Sequence, residues 1–168
     1  MQRMYAPWRS KYTTSTAHTK NENAPKEECT FCNRLKQKKD AQNFIIKRFK
    51  HNVVFLNRYP YNAGHILVMP LTHHDSLDKL SPEVRAEMME ILSQSAVIMK
   101  KTLEAHGANI GLNLGKAGGA GIPSHLHFHV LPRWTGDTNF LPALAETKQV
   151  SFDLKTIYKE LKKAFATI

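Results

Sequence analysis

Ser124-His125-Leu126-His127-Phe128-His129-Val130-Leu131 alternates polar and apolar side chains without a break. Period two is the signature of a strand, with successive side chains on opposite faces. A strand over His125–Leu131, closed by Pro132, therefore puts His125, His127 and His129 on one face. Leu126, Phe128 and Val130 occupy the other and are expected to pack against a helix. Imidazoles two residues apart along a strand lie roughly 6–7 Å from one another. A row of such rings suits a metal site, or a phosphate site equipped with a nucleophile and proton donors. The chain has nine histidines in 168 residues, too few for this run to be a common accident.

Immediately upstream lies Gly115-Lys116-Ala117-Gly118-Gly119-Ala120-Gly121. Glycine-rich backbone can bring N–H groups close to an anion. The loop is neither a Walker A motif nor a dinucleotide fingerprint, because it lacks Gly-Lys-Ser/Thr and precedes a strand. Further upstream, Asn43–Arg48, Asn52–Asn57 and His65–Pro70 read as three strands, the last two joined by the turn Tyr59–Gly64. Ser81, Pro82 and Glu83 mark a helix start. Val84, Met88, Ile91, Leu92, Ser95, Met99 and Leu103 then form one helical stripe, which Gly107 is expected to stop. Asn109–Leu114 reads as a fourth strand. A short basic helix is expected near Asn33–Lys39, and a final one over Asp153–Phe165. This order predicts an α+β fold: an antiparallel five-stranded sheet with a long central helix and a C-terminal helix.

Composition narrows the partners. Lys and Arg total 24 against 14 Asp and Glu, a net charge of +10, which favours an anionic partner, whether nucleotide, nucleic acid or acidic membrane. Two cysteines exclude a disulfide scaffold, and no apolar stretch is long enough to span a membrane. No secretory leader is expected in the first thirty residues; a transit peptide is conceivable there. The expected organisation is a polar arm over 1–28, a central domain over 29–140 and a helical extension over 141–168. Arg34 to Lys50 is strongly basic and reads as a solvated face, with a binding patch as the alternative.

The His125–Leu131 run, three histidines each followed by an apolar residue, resembles the signature of the histidine triad nucleotide-binding proteins. Asn57-Arg58-Tyr59-Pro60-Tyr61-Asn62-Ala63-Gly64-His65-Ile66-Leu67-Val68 resembles a second block of that family. Tyr5-Ala6-Pro7-Trp8-Arg9, Pro132-Arg133-Trp134 and Gly136-Asp137-Thr138-Asn139-Phe140 are similar to the ends of a bacterial branch akin to diadenosine tetraphosphate (Ap4A) phosphorylases and hydrolases.

The resemblance implies a cytoplasmic, homodimeric enzyme that cleaves dinucleoside polyphosphates through a nucleotidyl-histidine, with phosphate or water as acceptor. His127 would be the nucleophile, and His129 with the loop amides of Gly119 and Gly121 would hold phosphoryl oxygens. His125 and His65 would support His127, Asn57 would bind ribose, and Asn113 would face the phosphates. Lys116 and Arg133 would favour a phosphate acceptor. It also implies a structural zinc on Cys29, Cys32, His73 and His125, with His74 as rival to His73 and free thiols as the alternative. The sequence departs from related branches at Leu114, Gly121 and Ile122, where they carry glutamine or serine, which leaves the acceptor open. A non-catalytic alternative is a module that binds nucleotides or nucleic-acid ends with weak turnover.

Overall fold

Val53, Val54, Phe55 and Leu56 are all buried, which requires cover on both faces of their strand. In the computed structural model, which describes residues 25–138 and 153–168, that cover is unequal. The strands are β1 (Ile45–Arg48), β2 (Asn52–Leu56), β3 (Ile66–Pro70), β4 (Gly107–Leu112) and β5 (Phe128–Arg133). They form one antiparallel sheet in the order β1-β2-β3-β5-β4. Ile46, Val54, Leu56, Ile66, Val68, Leu126 and Val130 pack on one face against helices α2 (Pro82–Thr102) and α3 (Leu154–Phe165). Ile45, Val53, Phe55, Leu67 and Met69 face the other way, under the short helix α1 (Thr30–Lys36). The α+β arrangement expected from the sequence is the one found.

Helix α2 starts as its sequence dictates: Ser81 Oγ accepts the Val84 N–H and Pro82 occupies the first turn. It buries Met88, Ile91, Leu92, Ser95, Ile98 and Met99. Asp153 caps α3 through the Thr156 N–H, and the Tyr158 hydroxyl donates to the Ile45 carbonyl, tying α3 to β1. No helix among the described residues is long and apolar enough to cross a membrane.

Five elements differ from expectation by two residues or more, β1 among them, which starts at Ile45 and not at Asn43. Helix α1 covers Thr30–Lys36, starting earlier than Asn33, because Phe31 and Cys32 are its buried face. Helix α2 ends at Thr102, and the chain reverses through Leu103 and Glu104, the latter at φ 53°, so Gly107 opens β4 instead of stopping the helix. Strand β4 is accordingly Gly107–Leu112. Strand β5 begins at Phe128, not His125, and continues through Pro132. The β3 register brings Val68 opposite Phe128, so Pro70 falls opposite Leu126. Pro70 has no N–H to donate, and its carbonyl receives the His125 ring, so the ladder stops there. Pro132 is tolerated because β3 pairing has already ended at Val130, and its carbonyl accepts from Asn62. The arm around Tyr5–Arg9, with Asn139 and Phe140, lies outside the described residues.

Candidate active site and metal centre

The alternation of residues 125–130 survives the shortened strand. Leu126 and Val130 sit in the core under α2, while His125 and His127 are buried on the α1 side. The Phe31 ring lies edge-on to both, with centroids 5.6 Å from His125 and 5.3 Å from His127. His127 and His129 rings are 5.0 Å apart. His65, at the start of β3, reaches this row through His129, at 5.1 Å between centroids.

Obligatory partners set each ring's tautomer. His65 Nδ1 lies 3.2 Å from the Tyr61 backbone N–H, so it accepts, with the Asn57 amide also 3.1 Å away. The His65 proton is therefore on Nε2, which donates to His129 Nδ1 at 2.9 Å. That leaves the His129 proton on Nε2, a buried atom with no hydrogen-bond partner among the described residues. His127 Nδ1 donates to the His125 carbonyl at 2.7 Å, which places its lone pair on Nε2. The row thus presents a nucleophilic nitrogen beside a buried donor, the pair that attack on a phosphoryl group requires. Tyr61 stacks on His129, with rings inclined by 16° and 5.8 Å apart.

His127 and His129 open onto a cleft of about 730 Å³, within the range of small-molecule sites, whereas His65 and His125 are not among its lining residues. Phe31, Phe55, Leu67 and Ile122 form its apolar walls, and Asn57, Arg34, Arg58, Tyr59, Tyr61, Gly121, His127 and His129 its polar part. Asn57 reaches it from the end of β2, with its Oδ1 accepting the Tyr59 N–H. Gly119 and Asn113 are not among the lining residues. The Gly119 and Ala120 N–H groups bond within the loop, to the Lys116 and Gly115 carbonyls. Gly118 must be glycine, since a Cβ there would run into the Leu114 carbonyl. Arg133 is paired with Asp137 at 2.6 Å and bonded to Asn109. Sequence reading missed Phe31, Tyr61, Arg34 and Arg58. The Asn57–Tyr61 block, and the basic run from Arg34 for which a binding patch is the alternative reading, carry the signals for Tyr61, Arg58 and Arg34.

Burial lowers His65 from 6.5 to about 3, with the neighbouring His129 and His127 adding to it. Burial, then His127, lowers His129 from 6.5 to about 4. Both rings are neutral in the native protein at neutral pH, whereas the unfolded chain takes up protons near pH 6.5. Between those limits the unfolded state binds more protons, so stability rises with pH there. The contribution is complete above about pH 6.5 and is lost as pH falls toward 4 and then 3. Thermal melting from pH 7.5 down to about 4.5 is expected to give a falling Tm below pH 6.5, with a shallower slope in His65→Gln. A Tm level across that range contradicts the burial of neutral rings.

Behind the histidine row, Cys29, Cys32, His73 and His125 bring their ligand atoms within 4.8 Å of one another, a cluster able to hold a metal ion. His125 Nε2 donates to the Pro70 carbonyl at 3.0 Å, which turns the Nδ1 lone pair toward the cysteines. That Nδ1 is 3.4 Å from Cys29 Sγ and 3.5 Å from Cys32 Sγ, and His73 Nδ1 is 3.4 Å from Cys32 Sγ. Sulfur and nitrogen on one tetrahedral zinc would be about 3.6 Å apart. Without a cation, burial and the nearby Cys29 push the Cys32 thiol up to about 12, so the site needs positive charge to form thiolates. His74 is not in the cluster; its backbone carbonyl accepts the Leu126 N–H.

The HIT domain family matches residues 38–136 of this chain. The chain is 32% identical over 150 residues to a Mycobacterium tuberculosis AP-4-A phosphorylase, covering 89% of this chain and 77% of the relative. It is 29% identical over 93 residues to an asymmetrical bis(5'-nucleosyl)-tetraphosphatase of Schizosaccharomyces pombe, covering 55% of this chain and 50% of that protein. Among solved structures it is similar to a zinc-bound histidine triad family protein from Mycobacterium smegmatis. That likeness has a TM-score of 0.69 and 29% identity, over 85% of this chain and 96% of the other. The chain belongs to the HIT domain family.

Proposed function

We propose that this HIT-family chain cleaves dinucleoside polyphosphates by transferring a nucleotidyl group to His127. The observation that carries this reading is the His127 lone pair on Nε2 beside the Nε2–H of His129, which has no partner among the described residues. In the first step His127 Nε2 attacks the α-phosphorus, the P–N bond forms and the bond from that phosphorus to the bridging oxygen breaks. The electron pair leaves with a nucleoside triphosphate. A terminal phosphate has a second pKa near 6, so the departing group needs little protonation at neutral pH. The ring becomes cationic, and its Nδ1–H bond to the His125 carbonyl becomes charge-assisted. His129 Nε2–H would donate to a non-bridging phosphoryl oxygen. His65 fixes the tautomer that makes this donation available. Asn57 would face the ribose, while Phe31, Phe55 and Leu67 would enclose the base.

In the second step an acceptor oxygen attacks the same phosphorus and the P–N bond breaks. We assign phosphate as acceptor, which is supported by the relative named as a phosphorylase. Arg133, one of the cations the sequence offered for it, is committed to Asp137. Diadenosine tetraphosphate with millimolar phosphate is expected to disappear faster than without it and to give ADP and ATP. AMP and ATP at a phosphate-independent rate would make water the acceptor and leave the His127 step intact.

Two features complete the proposal. Zinc suits the Cys2His2 set, and four protein ligands would leave no open position for catalysis, so its role here is structural. The outer edge of β4 is uncovered among the described residues, with Ile110 45% exposed, and Met89 on α2 is 64% exposed. An uncovered edge with apolar neighbours is a pairing surface, which supports a homodimer joined through β4. Light scattering is expected to give twice the chain mass for the wild type and one chain mass for Ile110→Asp. A monomeric wild type would remove the dimer.

A further inference from the structure

Two arginines, Arg34 and Arg58, line the cleft together with His127 and His129. Arg34 is half-buried on α1, and its carbonyl accepts from Asn43. Arg58 follows β2; its Nη2 makes only a long 3.5 Å contact to the Gln42 carbonyl, and its guanidinium lies 5.7 Å from the Phe44 ring centroid. Both therefore sit where the chain enters β1, while His127 and His129 belong to β5 and its approach. Three inter-strand steps separate β5 from β1, a span of roughly 14 Å. A nucleotide with its phosphate at the histidines and its ribose at Asn57 directs its base toward the arginines, along the Phe31–Phe55 wall.

Neither arginine is paired with a carboxylate among the described residues. No Asp or Glu lines the cleft, and the Asn57 Oδ1 is already held by Tyr59. Burial, and then repulsion from Arg58, lowers the Arg34 pKa, with Tyr59 acting in the opposite direction, so the two cations are near enough to repel. A guanidinium donates and cannot accept. The Thr30 and Tyr59 hydroxyls also line the cleft and can accept as well as donate, but the two guanidinium groups make its side chains richer in donors than in acceptors.

We infer that the cleft selects a 6-oxopurine, guanine or hypoxanthine, over adenine, with Arg34 donating to O6 and N7 of the base. Those two acceptors match the guanidinium fork. Adenine keeps the N7 acceptor but turns its 6-amino donor toward the other N–H and leaves it unpaired, a mismatch that disfavours the analogue. The inference rests on the nucleotide reading above and specifies the base that site takes.

Calorimetric binding of GMP, IMP and AMP to the wild-type protein tests it. GMP and IMP are expected to bind about tenfold or more tightly than AMP, as one bidentate base contact supplies. In Arg34→Met the GMP-to-AMP ratio is expected to fall to within about twofold of one. Arg34→Lys, which keeps the charge but loses the fork, should also lose most of the preference. Circular dichroism on each variant confirms that the fold is retained. Equal binding of all three nucleotides, tighter AMP, IMP behaving like AMP, or a preference kept in Arg34→Lys would overturn the base assignment while leaving the nucleotide site standing. If no nucleotide binds, the nucleotide reading and the base assignment fall together.

Discussion

His127→Ala is expected to lower turnover of a dinucleoside polyphosphate by at least about 10⁴-fold, the scale of loss when a covalent nucleophile is removed. The reason lies in the ring's fixed orientation. Its Nδ1–H is held by the His125 carbonyl, so the attacking lone pair is on Nε2 by construction and not by chance of tautomer. No neighbour can substitute. His129 carries its proton on Nε2 because its Nδ1 accepts from His65, and His125 directs Nδ1 into the cysteine cluster. The walls Phe31, Phe55 and Leu67 are untouched by the substitution, so nucleotide affinity should change far less than rate. Stopped assays with a mononucleotide binding control measure both. Residual activity within about tenfold of wild type would remove His127 from the nucleophile's role.

The second large effect is on stability. Cys32→Ser, or chelation of the wild type, is expected to lower Tm by about 10 °C or more. Binding at a thousand times Kd contributes about 4 kcal/mol, and in a domain of this size each kcal/mol moves Tm by about 2–4 °C. The cluster ties three separate parts of the chain: α1 through Cys29 and Cys32, the segment after β3 through His73, and the approach to β5 through His125. Losing it frees α1, and with it Phe31, which packs against His125 and His127. Activity should therefore decline along with the fold, not before it. Elemental analysis is expected to return about one zinc per chain. Protein that contains no metal yet melts at an unchanged temperature would contradict the site.

Faces were easier to read from the sequence than ends. Alternation alone separates Leu126 and Val130, which enter the core, from His125 and His127, which turn toward α1. It could not show that β5 starts at Phe128, because that depends on Pro70 lying opposite Leu126 in a partner strand far away in sequence. The end of α2 was missed for a related reason: Glu104 adopts φ 53° in tertiary context, so the glycine expected to stop the helix was free to begin β4. The pairing of Cys29 and Cys32 with His73 and His125 followed from family resemblance, and the structure brings those four together. Arg34 read as part of a solvated basic run because helical phase in a seven-residue helix is too short to show a face. The glycine loop illustrates the opposite error: its composition suggests an anion cradle, but two of its amides close its own turn.

The central claim is that the reaction passes through a nucleotide covalently held on His127. Wild-type protein mixed with diadenosine tetraphosphate, quenched under conditions that preserve the P–N bond and weighed intact, tests this directly. The expected result is one adenylyl adduct per chain, mapped by peptide fragmentation to His127 and absent from His127→Ala. Rapid turnover with no adduct at any quench time, or an adduct on His125 or His129, would contradict the account.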